Sequence, residues 1–227
     1  MTTLLVLWDI DHTLIAMRGI GSQLFGMAFE QTLGVPMKRQ ALIDGMTDQT
    51  IFAATAHEHG IAVSSADFAR FAAALAEVHL AHIPQIRERG HALPGAASAI
   101  AAFAALGIRQ SVATGNIAAT SRIKLAAFGL DTEMDWATGA FGDDADNRPD
   151  LVRVARLRSG CQPSDIVVIG DTPADIDGAT ANEILAVGIA SGKSTEDRLR
   201  AAGASVTLPD LTNIDLLLDA IGRRVKD

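Results

Sequence analysis

Leu4-Leu5-Val6-Leu7-Trp8-Asp9-Ile10-Asp11-His12-Thr13-Leu14 is a short apolar run that ends abruptly in two carboxylates. No polar residue breaks the run, so it reads as a parallel strand buried on both faces. Ligands of open α/β sheets bind just past the carboxyl ends of the strands, which is where Asp9 and Asp11 fall. Side chains alternate along extended chain, so the two acids share one side and Ile10 points away. Two ionised acids this close repel; they share a proton or are held by a cation. A hard cation such as Mg²⁺ takes oxygen ligands and would neutralise both, given further acids from elsewhere in the chain. The plainer alternative is a strand end capped by solvated acids, with Asp11 or Thr13 opening the next turn.

The length of 227 residues fits one α/β domain, or a domain with a smaller insert. Hydrophobic residues at 48% and charged residues at 20% are ordinary for a folded protein. A net charge of −8 argues against nucleic acid as a partner. The nearest basic groupings are Arg153, Arg156 and Arg158, then Arg223, Arg224 and Lys226; both read as solvated helix faces. Cys161 is the only cysteine, which fits a reducing cytoplasm. The first apolar run is too short for a membrane span and lacks the basic flank of a signal peptide, so no membrane association is expected.

From about Arg18 to about His91 the chain reads as helical. Leu24, Phe25, Ala28, Phe29 and Leu33 form one stripe, closed by Gly34 and Pro36. A second helix runs from Asp48 to His59. A third starts at Ser65 and is interrupted or kinked by Pro84. No strand signal is strong in this region. Beyond Leu93 strands and helices alternate, implying right-handed parallel βαβ units. Strands are expected at Arg109–Ala113, Asp135–Ala140, Ile166–Gly170, Ile184–Ile189 and Ser205–Leu208. Helices are expected at 96–106, 118–128, 149–158, 175–182 and 194–202.

Three strand ends carry polar sets that can converge: Asp9, Asp11 and Thr13; Thr114, Gly115 and Asn116; Asp171, Thr172 and Asp175. The oxygen-rich set selects Mg²⁺ over zinc. A carboxylate such as Asp9 can act as a nucleophile and form an aspartyl-phosphate. Asp11 is placed to protonate a leaving oxygen and then activate water. Thr114 and the amides around Gly115 can hold phosphate oxygens. A lysine or arginine is needed to offset phosphoryl charge.

Asp9-Ile10-Asp11-His12-Thr13, Thr114-Gly115-Asn116 and Gly170-Asp171-Thr172-Pro173-Ala174-Asp175, in this order and each at a strand end, resemble the motifs of the haloacid dehalogenase superfamily. The likeness spans nearly the whole chain and is closest to the phosphoglycolate phosphatase and β-phosphoglucomutase type. It implies a Rossmann-like parallel-sheet core, residues 1–16 and 92–227, with an inserted α-helical cap, residues 17–91. It further implies a Mg²⁺-dependent phosphatase acting on a small phosphorylated metabolite, cytoplasmic, and a monomer or homodimer. Carried over by position, Asp9 is the nucleophile and Asp11 the general acid/base. Thr13, Thr114, Gly115 and Asn116 surround the phosphoryl group. Asp9, Asp171 and the Asp11 carbonyl ligate Mg²⁺, with Asp175 joining directly or through water.

The third motif departs from the family pattern, which places a lysine before the helix preceding the fourth motif. Here Arg148 stands there, and a guanidinium also pairs with phosphate. Lys124, on the helix after the second motif, is the alternative and is the one preferred. Asp44-Gly45-Met46-Thr47-Asp48 resembles a cap segment that lies over the active site in relatives, making Thr47 and Asp48 substrate-binding candidates. Thr47 or Asp48 can equally cap the helix that follows. Met46 replaces a frequent basic residue, which disfavours a very anionic substrate. His12 either faces the leaving group or sits in a turn; His57, His59, His79, His82 and His91 carry no role. Other readings are a phosphomutase of the same fold, a haloacid dehalogenase, against which Asp11 argues, and a non-catalytic regulatory protein.

Overall fold

The computed structural model describes residues 4–42 and 44–222. The first strand, β1 (Leu5–Trp8), stops where the apolar run stops. All four of its side chains are fully buried, with Val6 and Trp8 in one hydrophobic cluster and Leu5 and Leu7 in the other. A strand with a core on each face has no place for a polar side chain until it leaves the sheet. That is why the first acids appear immediately after Trp8. Burial of each of these side chains contributes roughly 1.5–3 kcal/mol.

The sheet is completed by β4 (Arg109–Val112), β5 (Ile166–Gly170), β6 (Leu185–Ile189) and β7 (Val206–Leu208), with β2 (Ile15–Ala16) and β3 (His91–Ala92) standing apart. Its order is β4-β1-β5-β6-β7, with every pairing parallel. The carboxyl ends of β4, β1 and β5 therefore lie side by side, and the three polar sets meet there. The helices of this part are α5 (Ala96–Ala105), α6 (Ala118–Ala127), α7 (Arg148–Ser159), α8 (Pro173–Thr180), α9 (Glu196–Ala201) and α10 (Ile214–Gly222). The helix α10, which buries Leu217, Ala220 and Ile221, was not anticipated.

Between β2 and β3 lie α1 (Ile20–Leu33), α2 (Asp48–Glu58), α3 (Ser65–Ala81) and α4 (Ile83–Arg89). The inserted helical layer is thus as expected. Phe25, Phe29, Phe52 and Phe71 pack against one another to form its core. The two-residue strands β2 and β3 pair antiparallel at its base, Ile15 with Ala92 and Ala16 with His91. Segments this short leave no periodic signal, which is why none was read. At Pro84 the helix is interrupted and not kinked: α3 ends at Ala81, and Pro84 lies in the first turn of α4, where its missing N–H costs nothing.

One expected strand is absent. Asp135–Ala140 forms no ladder with β4: only isolated bridges flank it, Met134 with Gln110 and Ala140 with Ala113. Between these points the chain turns on itself: the Asp135 carbonyl accepts from the hydroxyls of Ser111 (2.7 Å) and Thr138 (3.2 Å). Side-chain hydrogen bonds to the backbone, one from β4 and one from within the segment, have replaced the ladder. Of the basic groupings, Arg153 and Arg158 pair with Asp150 and Asp144. Arg223, Arg224 and Lys226 lie outside the described residues. Among the described residues, no helix is long and apolar enough to cross a membrane.

Candidate active site

The backbone N–H of Asp9 still donates to Ile169 of β5 (2.9 Å), so its side chain leaves the sheet at a defined place. The chain then folds back, with Leu14 and Ile15 donating to the Ile10 carbonyl, and His12 takes a left-handed conformation (φ 65°). On β5, Gly170 is required because a Cβ there would collide with the Asp175 side chain, its Cβ and Oδ2 at 2.5 Å and its Cγ nearer still. Asp175 and Thr172 cap α8 reciprocally: Asp175 Oδ2 accepts from the Thr172 amide (3.0 Å) and hydroxyl (2.7 Å). The cap fixes one carboxylate oxygen of Asp175. The other, Oδ1, is buried and lies 3.1 Å from Arg148 Nε as an ion pair, with neither atom in a hydrogen bond.

Asp9, Asp171 and Asp175 are all buried, and each offers an oxygen within 4.8 Å of the others. Burial pushes the Asp9 and Asp171 carboxyls well above their ordinary range, and repulsion between the acids adds to it. The guanidinium of Arg148 opposes that rise, donating to Asp9 Oδ1 (3.2 Å) and to the Ala113 carbonyl (2.9 Å). One arginine cannot balance three carboxylates. A donor set made only of carboxylate oxygens, short of positive charge, fits a hard divalent cation such as Mg²⁺.

Asp11 is not part of this triad. Its Oδ2 accepts from Lys124 Nζ (2.7 Å) and from the Asn116 side-chain amide (2.8 Å). Burial by itself raises the Asp11 carboxyl, but the charge and hydrogen bond of Lys124, with that of Asn116, outweigh it and hold it below its ordinary value. Asn116 also bonds Thr114 Oγ1 (2.9 Å) and accepts from Lys124 (2.5 Å). Thus the two cations weighed as alternatives both reach the site and divide the acids: Arg148 holds Asp9, and Lys124 holds Asp11. Both cations are buried.

A cavity of about 510 Å³ opens above these groups. Asp9, Asp11, Thr114, Gly115, Asn116, Lys124, Arg148 and Asp171 line it, as does Asp48 from the helical insert. Asp48 donates its N–H to the Gly115 carbonyl (2.8 Å), and its carboxylate accepts from Ile117 N (2.9 Å). Burial pushes the Asp48 carboxyl up to about 6. Thr47 does not join the lining: its hydroxyl caps α2, accepting from Thr50 N (3.3 Å). Thr13 also stays below the cavity, donating to Asp171 (3.4 Å). His12 lines the mouth, exposed, with its carbonyl accepting from Ser191 Oγ (2.5 Å).

The loop after β6 was missed. A Cβ at Gly192 would run into the Asp171 carboxylate and within 3.2 Å of His12 Cβ, so this glycine lets the loop close on the site. Lys193 of the same loop pairs with Asp44 of the insert (3.0 Å). Its available signal was position: a strand end at Ile189 followed at once by Ser191-Gly192-Lys193.

The sequence pattern of haloacid dehalogenase-like hydrolases matches residues 6–180. The chain belongs to that family. It is 26% identical to "Probable phosphatase IndB" of Dickeya dadantii, across 92% of this chain and 91% of that protein. The fold is shared with a β-phosphoglucomutase from Clostridium difficile (TM-score 0.71, 14% identity, 100% of both chains). It is shared as well with a predicted phosphoglycolate phosphatase from Haemophilus somnus (TM-score 0.68, 17% identity, 95% of this chain and 97% of that one).

Proposed function

We propose that this protein is a Mg²⁺-dependent phosphomonoesterase that works through a phosphorylated Asp9. The observation that carries the reading is the division of charge between two neighbouring acids: Asp9 sits among acids with Arg148, and Asp11 stands apart with Lys124. Two like groups in unlike environments take different roles. Asp9 attacks phosphorus, and the ester oxygen leaves with the proton of Asp11. The carboxylate of Asp11 then takes a proton from water as that water attacks the aspartyl-phosphate, releasing inorganic phosphate and restoring Asp9. Lys124 favours the basic form of Asp11; an incoming phosphate dianion competes for Lys124 and favours the acid form needed first.

Thr114, Asn116 and the amide of Gly115 would hold phosphoryl oxygens, with Arg148 offsetting their charge. Mg²⁺ bound by Asp9, Asp171 and the Asp11 carbonyl, with Asp175 directly or through water, would offset the charge of the acids and of the phosphoryl group. Residues 17–91 would act as a cap over a core of 1–16 and 92–227, hinged at the β2–β3 pair. The reading is of a cytoplasmic enzyme, monomer or homodimer, acting on a small phosphorylated metabolite without nucleic acid or membrane.

The test is phosphate release from a panel of phosphorylated metabolites, with Mg²⁺ and with EDTA, for the wild type and Asp9→Asn. Release that needs Mg²⁺ and vanishes in a folded Asp9→Asn is expected. Undiminished turnover in Asp9→Asn would remove the covalent mechanism. The contact of the insert with Gly115 supports a second reading, a phosphomutase, in which the closed cap shields the aspartyl-phosphate from water. That enzyme would isomerise a sugar phosphate without releasing phosphate.

A further inference from the structure

His79 sits on α3 of the insert and is 2% exposed, yet it lines the cavity. Its Nδ1 lies 2.8 Å from the Leu75 carbonyl. A carbonyl only accepts, so Nδ1 carries the proton and Nε2 of the neutral ring presents a lone pair. That Nε2 is buried and has no hydrogen-bond partner among the described residues. Two other histidines make the same bond four residues back: His59 to Thr55 and His82 to Val78. Both have an outlet for the second nitrogen. His59 Nε2 accepts from the Lys38 amide (2.9 Å), and His82 is partly open to water. His79 alone of the three keeps a buried acceptor unused, a costly arrangement unless something fills it.

The neighbours say what fills it. Burial, and then the charge of Lys124, hold the His79 ring down at about 4, so it remains neutral in ordinary buffers. A bare lone pair repels a phosphate oxygen and suits an O–H donor. The phosphoryl-binding candidates Thr114 and Asn116 come from the loop after β4 and Arg148 from the start of α7, whereas His79 comes from the insert above them.

Building on the phosphatase reading, we infer that His79 Nε2 accepts a hydrogen bond from a hydroxyl of the leaving group. The substrate is then a phosphate ester whose leaving group carries at least one further hydroxyl, and His79 is a specificity residue, not a catalytic one. Leaving such an acceptor unpaired penalises any analogue without the hydroxyl, by a factor on the order of 10–100.

The experiment compares kcat/KM for glycerol, pentose and hexose phosphates with their matched deoxy esters, in wild type, His79→Leu and His79→Gln. Wild type should favour at least one hydroxylated ester over its deoxy partner by about 10–100-fold. In His79→Leu that ratio should collapse, because the hydroxylated ester loses far more than the deoxy one. His79→Gln, whose amide oxygen also accepts, should restore part of the ratio. Circular dichroism verifies that both variants are folded. A ratio that survives in His79→Leu, a parallel fall on both esters, or no preference in wild type would overturn the inference. Absence of turnover by the wild type on every ester would instead refute the phosphatase reading beneath it.

Discussion

Gly115→Ala should uncouple the insert from the core while leaving the sheet intact. Gly115 lies outside the left-handed backbone region, so alanine is conformationally acceptable there. The obstacle is space: a Cβ would overlap the Met46 carbonyl oxygen and lie 3.1 Å from its carbon and 3.2 Å from Thr47 Cα. These are backbone atoms, which cannot swing aside as a side chain can. Relief requires the 44–48 segment to lift. Lifting breaks the hydrogen bond from Asp48 N to the Gly115 carbonyl (2.8 Å) and that from Ile117 N to the Asp48 carboxylate (2.9 Å). A neutral bond is worth about 1 kcal/mol and one to a charged group about 1.5–3, so the closed arrangement loses about 3 kcal/mol. That is a factor of about 100 in the population of the closed state, and kcat/KM should fall by up to the same factor. Because opening relieves the clash, the loss of global stability is capped near the same about 3 kcal/mol. The assay pairs steady-state kinetics with limited proteolysis, which should cut the variant faster within residues 40–48. Wild-type kcat/KM together with wild-type proteolytic resistance would refute the claim that this contact closes the site.

Arg148→Ala strips the guanidinium from Asp9, Asp175 and the Ala113 carbonyl and should cost about 3–5 kcal/mol by urea denaturation. Arg148→Lys should recover only part, since one ammonium cannot reach all three partners. His79 makes stability pH-dependent: the unfolded chain takes up its proton near 6.5 and the folded one only near 4, held there by burial and then by Lys124. Acid therefore favours unfolding; the contribution is intact above pH 6.5 and is lost as the pH falls to 4, about 3 kcal/mol in all. Asp9, Asp48 and Asp171, whose carboxyls burial pushes up, act in the opposite sense over the same range. The test is therefore the difference: urea midpoints should fall more, or rise less, on acidification in wild type than in His79→Leu, and equal changes would discount it. Mg²⁺ at 100 times its Kd should stabilise by about 2.7 kcal/mol, a rise of about 5–10 °C in Tm that EDTA reverses. Asp171→Asn should lose most of that rise, and an undiminished rise would remove Asp171 from the metal site.

The phosphate set and the acids of the site were legible because they obey local rules. A buried strand excludes charge, so the residue where polarity returns marks the strand end, and Asp9, Thr114 and Asp171 all sit at such a place. The helical insert was legible from its apolar stripes, and the capping roles of Thr47 and Thr172 follow from their place just before α2 and α8. Asp135–Ala140 failed because its backbone was taken over by two hydroxyls, Thr138 from within the segment and Ser111 from β4, and the second is brought there only by the tertiary fold.

Sequence by itself determined the layers, the strand ends and the residue types gathered at them, because periodicity and the cost of burying charge act over a few residues. Only the tertiary structure decided which cation serves which acid. Lys124 and Arg148 lie on different helices, and their distances to Asp11 and Asp9 depend on how α6 and α7 pack against the sheet. Only it decided that Gly192 touches Asp171 and that one histidine among several keeps a buried, unpaired nitrogen at the cavity. Pairing and desolvation are properties of position in space, and residues far apart in the chain acquire them only when the insert and the sheet come together.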